Sequence, residues 1–321
     1  MKTPLRTTDA PAPPTVIITG PTATGKSDLS LDLARYFDAP VISADARQCY
    51  KYMDIGTGKV SRDILDKIPH YHISTLYPDE PFTAAGFAER FMDWSQSIRS
   101  KGKPVIVAGG STLYIESLIR PLDPLPPKND ANTRELQRLA EKEGLASIRK
   151  KLEEVDPAYS RRIDGPNPHR MFRALDVWMQ TGRPFSSFHT NRPLRIPDNM
   201  LLICLHRDRG ELHDRIDRRV DAMMADGLLD EVRKILSMGY DPELQSLQTV
   251  GYREAIAHLR GDLPAPEMIA NIKTSTRRYA RRQLTWFRRW EHVVWMEQTG
   301  QSQQILADRI RNMTEQLAAE T

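Results

Sequence analysis

The chain has 321 residues, 40% hydrophobic and 27% charged, with 46 Lys and Arg against 42 Asp and Glu for a formal net charge of +4. That length supports a full core and about two domains. Cys49 and Cys204 are the only cysteines, with no C-x-x-C and no Cys/His cluster, which argues against a disulfide scaffold or structural zinc. No apolar run approaches the ~18 residues of a membrane span, and the N-terminus lacks a signal-peptide core, so a cytoplasmic protein is expected.

Residues 1–13, rich in Pro and Thr, read as a flexible lead-in. Val16-Ile17-Ile18 then runs into Gly20-Pro21-Thr22-Ala23-Thr24-Gly25-Lys26-Ser27, and Leu29, Leu33 and Phe37 follow at i, i+4 and i+8. After Pro40 a second apolar run, Val41 to Ala44, ends on Asp45. The order predicts strand, phosphate loop, helix, strand. Gly20 and Gly25 let the backbone wrap an anion, loop N–H groups point at it, Lys26 reaches its oxygens, and the Ser27 hydroxyl suits Mg2+. Such a loop alone suggests ATP or GTP, yet the sequence has neither a second strand of the hhhhD-E type nor an N-K-x-D guanine reader. Asp45 fits a Mg2+ ligand, a base that takes a substrate proton, or a capping aspartate.

The polar stretch after Asp45 reads as a loop at the carboxyl end of the second strand, where open parallel sheets bind ligands. Ala84, Phe87, Phe91, Trp94 and Ile98 keep helical spacing and predict a helix over 82–100, with Thr83 as its cap. Pro104 to Ala108 reads as a third buried strand, broken by Gly109-Gly110-Ser111. Strand and helix alternate, which predicts a parallel α/β core. From the proline-rich connector at 121–127 strand signals vanish, so residues 121–197 read as an inserted helical subdomain that closes over a core made of 14–120 and 198–321. Strands return at 200–205 and 292–296. Between them Leu212, Ile216, Val220 and Met223 form a packing stripe, with Arg215 and Arg219 beside it as candidates to face the phosphate loop. Six arginines and no acid between Thr276 and Trp290 point to a polyanionic partner, against the simpler reading of a solvated helix face. Trp286 and Phe287 in that stretch read as packing residues.

Seven motifs in order resemble those of the tRNA dimethylallyltransferases, also called tRNA isopentenyltransferases, over nearly the whole chain. They are GPTATGKS, SADARQCYKYMDIGTGK (43–59), GGSTLY (109–114), HRMFRALDV (169–177), RIDRRVDAM (215–223), QTVGYRE (248–254) and RRYARRQLTWFR (277–288). The resemblance implies a P-loop NTPase-like core and transfer of a dimethylallyl group from dimethylallyl diphosphate to N6 of adenosine 37 in tRNAs reading codons that start with U. It implies that Gly20 to Ser27 hold the diphosphate, that Lys26 and Arg219 neutralise it with Mg2+ on Ser27, and that Asp45 accepts the N6 proton. By the same resemblance Asp45, Ala46, Arg47, Gln48 and Ser111 would hold the everted base. His169, Arg170, Arg173, Gln248, Gly251, Tyr252, Arg253, Arg278, Arg282 and Arg288 would meet the anticodon stem-loop. A monomer is the expected state.

The sequence departs from the family pattern at Ala46, where Ser is usual, at GGSTLY for GGTGLY, and at Tyr52, where Gly is common. No pattern of the eukaryotic C-terminal zinc finger is present, so the likeness is to the bacterial form. Cys49 reads as a small apolar filler, since no base is placed for it. Two other classes remain compatible with the phosphate loop: a kinase in which Asp45 activates a hydroxyl, and an RNA-binding module whose loop docks a backbone phosphate.

Overall fold

The computed structural model describes residues 12–163, 165, 167–190 and 195–320; the lead-in expected at 1–13 lies almost wholly outside the described residues. β1 (Thr15–Thr19) leads through the glycine loop into α1 (Lys26–Tyr36) and β2 (Val41–Ser43), followed by α2 (Arg62–Lys67), β3 (His70–Tyr71), α3 (Ala84–Arg99), β4 (Val105–Ala108) and α4 (Thr112–Ile119). Then come α5 (Asp130–Glu143), α6 (Leu145–Val155), α7 (Pro157–Ser160) and α8 (Pro168–Thr181). The chain returns through β5 (Met200–His206), α9 (Arg209–Ala225), α10 (Leu228–Ser237), α11 (Tyr252–Leu259), α12 (Ala265–Phe287), β6 (Val294–Glu297) and α13 (Gln303–Glu320). Two compact units result, Met1–Arg120 with Leu194–Thr321, and Pro121–Pro193. The boundary falls at 193 rather than 197 because Ile196 packs with Met200 and Leu202 of the first unit.

In the first unit six strands form one parallel sheet in the order β3-β2-β4-β1-β5-β6. Thr15 of the central β1 pairs with Val105 on one side and Met200 on the other. The strands are short Val/Ile/Leu runs because both faces are covered. Val16, Ile18, Ile106, Ile203 and Leu205 pack on Leu29 and Leu33 of α1 and on Leu306 and Ile310 of α13. Ile17, Val105, Val107, Leu202 and Cys204 pack on Phe87 and Phe91 of α3, Ile115 of α4 and Phe287 of α12. A third cluster joins Cys49, Tyr50 and Met53 to Val220, Val232, Tyr252 and Met268, and so ties the segment after β2 to the helices after β5. At the carboxyl ends of β1, β2 and β4 the chain breaks into the phosphate loop, the Asp45 loop and Gly109 to Ser111, so all three converge on one edge of the sheet.

The expected strands and the α3 helix form where their apolar spacing predicts, and Thr83 Oγ1 accepts the Gly86 N–H at 3.1 Å as the α3 cap. Leu212, Ile216 and Val220 are buried along α9, and Phe287 is fully buried with Trp286 partly so, as packing residues should be. β6 begins two residues later than expected, after His292 takes a positive φ of 60°. β3 was not anticipated: His-Tyr is too short and too polar to carry a strand pattern. Tyr52, where the family commonly has Gly, sits at φ 68°, the left-handed region that Gly enters without strain.

In the second unit α5, α6 and α8 enclose Leu136, Ile148, Leu152, Met171, Leu175 and Val177. Asn129 caps α5 by accepting from the N–H groups of Ala131 (2.9 Å) and Asn132 (3.2 Å). Asp176, fully buried, accepts from Asn129 N, Asn132 Nδ2, Gln180 Nε2 and the Arg173 guanidinium at 2.7–3.3 Å.

Candidate active site

The phosphate loop is built from backbone that only certain residues tolerate. Gly20 has φ 135°, and a Cβ there would stand 2.3 Å from the Leu205 carbonyl oxygen. Gly25, at φ 94°, ends the loop and lets α1 begin at Lys26. Between them Ala23 also has positive φ, and its carbonyl accepts from Arg215 Nε at 2.9 Å. Lys26 Nζ donates to the Pro21 carbonyl at 2.7 Å, across the loop mouth. Burial, then the neighbouring Arg219 charge, pull the Lys26 pKa down to about 8, while Asp45 pulls it back up. Arg219 is likewise held below its ordinary value by burial, again opposed by Asp45. Two crowded cations facing one carboxylate make a site whose electrostatic deficit an anion would relieve.

A cavity of about 800 Å³ unites these groups. Thr22, Ala23, Gly25, Lys26 and Ser27 line it with Asp45, Ala46, Arg47, Gln48, Ser111, Arg215 and Arg219. Asp45 Oδ1 caps its own turn, accepting from the N–H groups of Arg47 at 2.8 Å and Gln48 at 3.3 Å, while Oδ2 has no hydrogen bond among the described residues. The capping role is therefore real, and it orients a carboxylate whose other oxygen can take a proton. Ser111 Oγ accepts the Ala46 N–H at 2.8 Å, which fixes the same turn from the β4 side. Gln48 faces inward: it accepts from Ser43 Oγ and donates to the carbonyls of Thr57 and Gly58. Tyr279 of α12 also lines the cavity, and its phenol is raised by desolvation and by the Asp45 charge, so it stays a neutral donor.

For Mg2+ the donor set fits. Ser27 is exposed at the start of α1, and its hydroxyl has no hydrogen bond among the described residues. Among those residues no group of three or more His, Cys, Asp or Glu could hold a metal, so an ion here would take Ser27 together with phosphate oxygens and water, as Mg2+ usually does.

Gln283 of α12 was missed by sequence reasoning. It is 3% exposed; its Oε1 accepts the Thr22 N–H at 3.0 Å and its Nε2 donates to the Gly110 carbonyl at 2.8 Å. One amide thus staples the phosphate loop to the loop that holds Ser111. The signal was present: Ala280, Gln283 and Phe287 share the buried stripe of α12, and a polar residue in such a stripe needs partners. Glu231 of α10, which binds the backbone of residues 54–56, gave no comparable signal.

The expected RNA contacts divide. Arg278 and Arg282 are exposed on α12 and Arg288 at its C-cap, Gln248 and Arg253 are exposed in the first unit, and His169 and Arg170 are exposed on α8 of the second. Two expectations need correction. Tyr252 is fully buried and donates its hydroxyl to Glu231, so it is a core strut and cannot touch RNA. Gly251 is buried too, with its N–H given to Glu254 Oε2 at 2.9 Å. Arg173 donates to Asp176 and the Pro126 carbonyl, which pins the proline-rich connector, while its side chain stays 29% exposed. Cys49 is fully buried and its thiol is pushed up to about 12 by burial, as suits a filler.

A parallel sheet with a phosphate loop at its central strand and a carboxylate across the crevice defines a P-loop NTPase-like α/β enzyme core. A model of the IPP transferase family matches residues 48–290. The chain is 38% identical to tRNA dimethylallyltransferase 1 of Bacteroides thetaiotaomicron, covering 94% of this chain and 97% of the relative. It is 41% identical to the tRNA dimethylallyltransferase of Geobacter metallireducens over 91% of this chain and 95% of that one. Among solved structures, the full-length tRNA isopentenylpyrophosphate transferase of Bacillus halodurans superposes with a TM-score of 0.70 at 33% identity, over 96% and 97% of the two chains. A eukaryotic dimethylallyltransferase crystallised acting on tRNA gives 0.71 at 25% identity, over 90% of this chain and 74% of its own. This chain belongs to the IPP transferase family.

Proposed function

We propose that the chain transfers a dimethylallyl group from dimethylallyl diphosphate to N6 of adenosine 37 of tRNA, releasing diphosphate. The observation that carries this reading is the shared cavity: a polyphosphate cradle with Lys26 and Arg219 lines the same space as Asp45. The diphosphate lies in the loop Gly20 to Ser27, where N–H groups, Lys26 and Arg219 take up the charge that grows on the leaving oxygen. Ser27 would hold Mg2+, which would further neutralise that leaving group. The C1–O bond breaks with its electron pair leaving on diphosphate, the N6 lone pair closes on C1, and the N6 proton passes to Asp45 Oδ2. An adenine amine is a weak nucleophile, so loss of that proton as the bond forms is what Asp45 contributes.

A base inside the anticodon stack cannot reach an enclosed diphosphate, so adenosine 37 turns out into the cavity. Ala46, Arg47, Ser111 and Tyr279 border its place, with Gln48 bracing the wall. Exposed Arg278, Arg282 and Arg288, with Gln248, Arg253, His169 and Arg170, offer contacts to the anticodon stem-loop. Ala46 in place of Ser removes one hydroxyl from that turn, which Asp45 Oδ1 and Ser111 Oγ hold. A cytoplasmic monomer acting on tRNAs that read U-initial codons completes the proposal; among the described residues no helix is long and apolar enough to cross a membrane.

The test is to incubate the protein and Mg2+ with unmodified anticodon stem-loop RNA bearing adenosines at 36, 37 and 38, adding dimethylallyl diphosphate or ATP, and to weigh the RNA. A gain of one C5H8 unit with the diphosphate alone is expected. No gain, with ADP formed from ATP, would replace this reading by a kinase.

A further inference from the structure

Residues 54–59 form a tight turn, closed by Gly58 N to Ile55 O at 2.9 Å and Lys59 N to Asp54 O at 3.0 Å. Its leading N–H groups converge on one side chain. Glu231 of α10 accepts from Asp54 N (2.8 Å) and Ile55 N (2.7 Å) on Oε2, and from Gly56 N (3.1 Å) and the Tyr252 hydroxyl (2.5 Å) on Oε1. An ionised carboxylate, which only accepts, suits this ring of donors. Gly56 is required there, since a Cβ would stand 2.5 Å from the Tyr252 ring.

The turn's other end faces the active site. The Thr57 carbonyl accepts from Arg219 at 3.3 Å, the one hydrogen bond that Arg219 makes among the described residues, and Gln48 Nε2 donates to Thr57 and Gly58 carbonyls at 3.4 and 3.3 Å. Gly58 is as constrained as Gly56: at φ 61°, its Cβ would lie 2.0 Å from the Arg219 guanidinium. A half-buried guanidinium with one protein hydrogen bond is aimed by that single acceptor. That acceptor is held by Glu231 from outside the cavity, whose lining does not include Glu231 or Tyr252.

We propose that Glu231, with Tyr252, is a positioning residue for Arg219: it clamps the 54–59 turn so that the Thr57 carbonyl presents the guanidinium to the departing diphosphate. This rests on the reading of Arg219 as a leaving-group cation. Gln is nearly isosteric with Glu but turns one acceptor oxygen into a donor that faces N–H groups, so Glu231→Gln breaks the clamp while keeping its volume. Tyr252→Phe removes one of the four donors and keeps the ring, and serves where the first variant folds poorly.

The test is a double-mutant cycle read by binding of inorganic pyrophosphate with Mg2+ to the full chain, and by single-turnover transfer. Glu231→Gln should weaken pyrophosphate binding and slow transfer by about tenfold, and Tyr252→Phe by about threefold, with stem-loop RNA affinity within twofold of the parent. In an Arg219→Ala background both effects should vanish, an outcome that a merely structural role would not give. Equal losses with and without Arg219, or no loss in either variant, overturn the positioning role alone. Failure of the unaltered chain to bind pyrophosphate would overturn the reading of the site, and the proposal with it.

Discussion

Lys26 shows how much of this site is electrostatic. With its pKa near 8 in the free chain, it is charged below that pH and neutral above it, whereas bound diphosphate favours the charged form. Affinity for inorganic pyrophosphate should therefore be level below pH 8 and fall by up to about tenfold per unit above it, until the pKa of the complex is reached. Lys26→Met should bind more weakly and lose that component. Subtracting its titration from the parent's removes the ligand's own ionisation, and a difference that stays flat from pH 7 to about 10 would contradict the account. Gln283 is the second residue-scale case. Gln283→Leu leaves the Thr22 N–H and the Gly110 carbonyl without partners, and should cost about 2 kcal/mol or more in urea unfolding, with a larger relative loss of transfer. Unchanged stability would mean that water replaces both bonds.

At the scale of elements, local chemistry was legible and long-range closure was not. The phosphate loop, the four longer strands before β6, the α3 cap and the α9 stripe all follow from spacing within a dozen residues, where propensity, glycine placement and burial agree. The errors have a common cause. Tyr252 and Gly251 sit in motifs that mark function, but a motif does not say which members face outward. Tyr252 is drawn inward by Glu231, 21 positions earlier, and Gly251 gives its N–H to Glu254. Glu231 itself looks like any solvated helix acid until the 54–59 turn closes on it. Gly58→Ala tests this closure directly. Its Cβ must displace Arg219, so transfer should fall by about 10² or more while the far-ultraviolet signal of the fold persists. Activity near the parent's would show that Arg219 is free to move.

For the whole molecule, a net charge of only +4 conceals a local basic face. Arg277 Nη1 donates to both carboxylate oxygens of Asp217, at 2.7 and 2.8 Å, while Arg278 and Arg288 have no ion pair among the described residues. Sequence counting saw six arginines and could not tell which were spent internally. Replacing Arg278 or Arg288 by Ala should weaken stem-loop binding across sequences alike and reduce the slope of log affinity against log salt by about one each, whereas Arg277→Ala should act mainly on stability. Family membership, by contrast, was legible because seven motifs in order constrain nearly the whole chain, and no single one of them had to be read correctly in space.

One cavity is lined by both the phosphate loop and Asp45. The most direct measurement is the single-turnover rate of prenyl transfer by Asp45→Asn beside its affinity for the same stem-loop RNA. The chemical step should be slower by ~10² or more, with RNA affinity within about twofold, because Asn can keep the cap to Arg47 and Gln48 but cannot take the N6 proton. A near-normal rate, or a loss confined to RNA affinity, would remove Asp45 from the chemistry and leave it a turn cap.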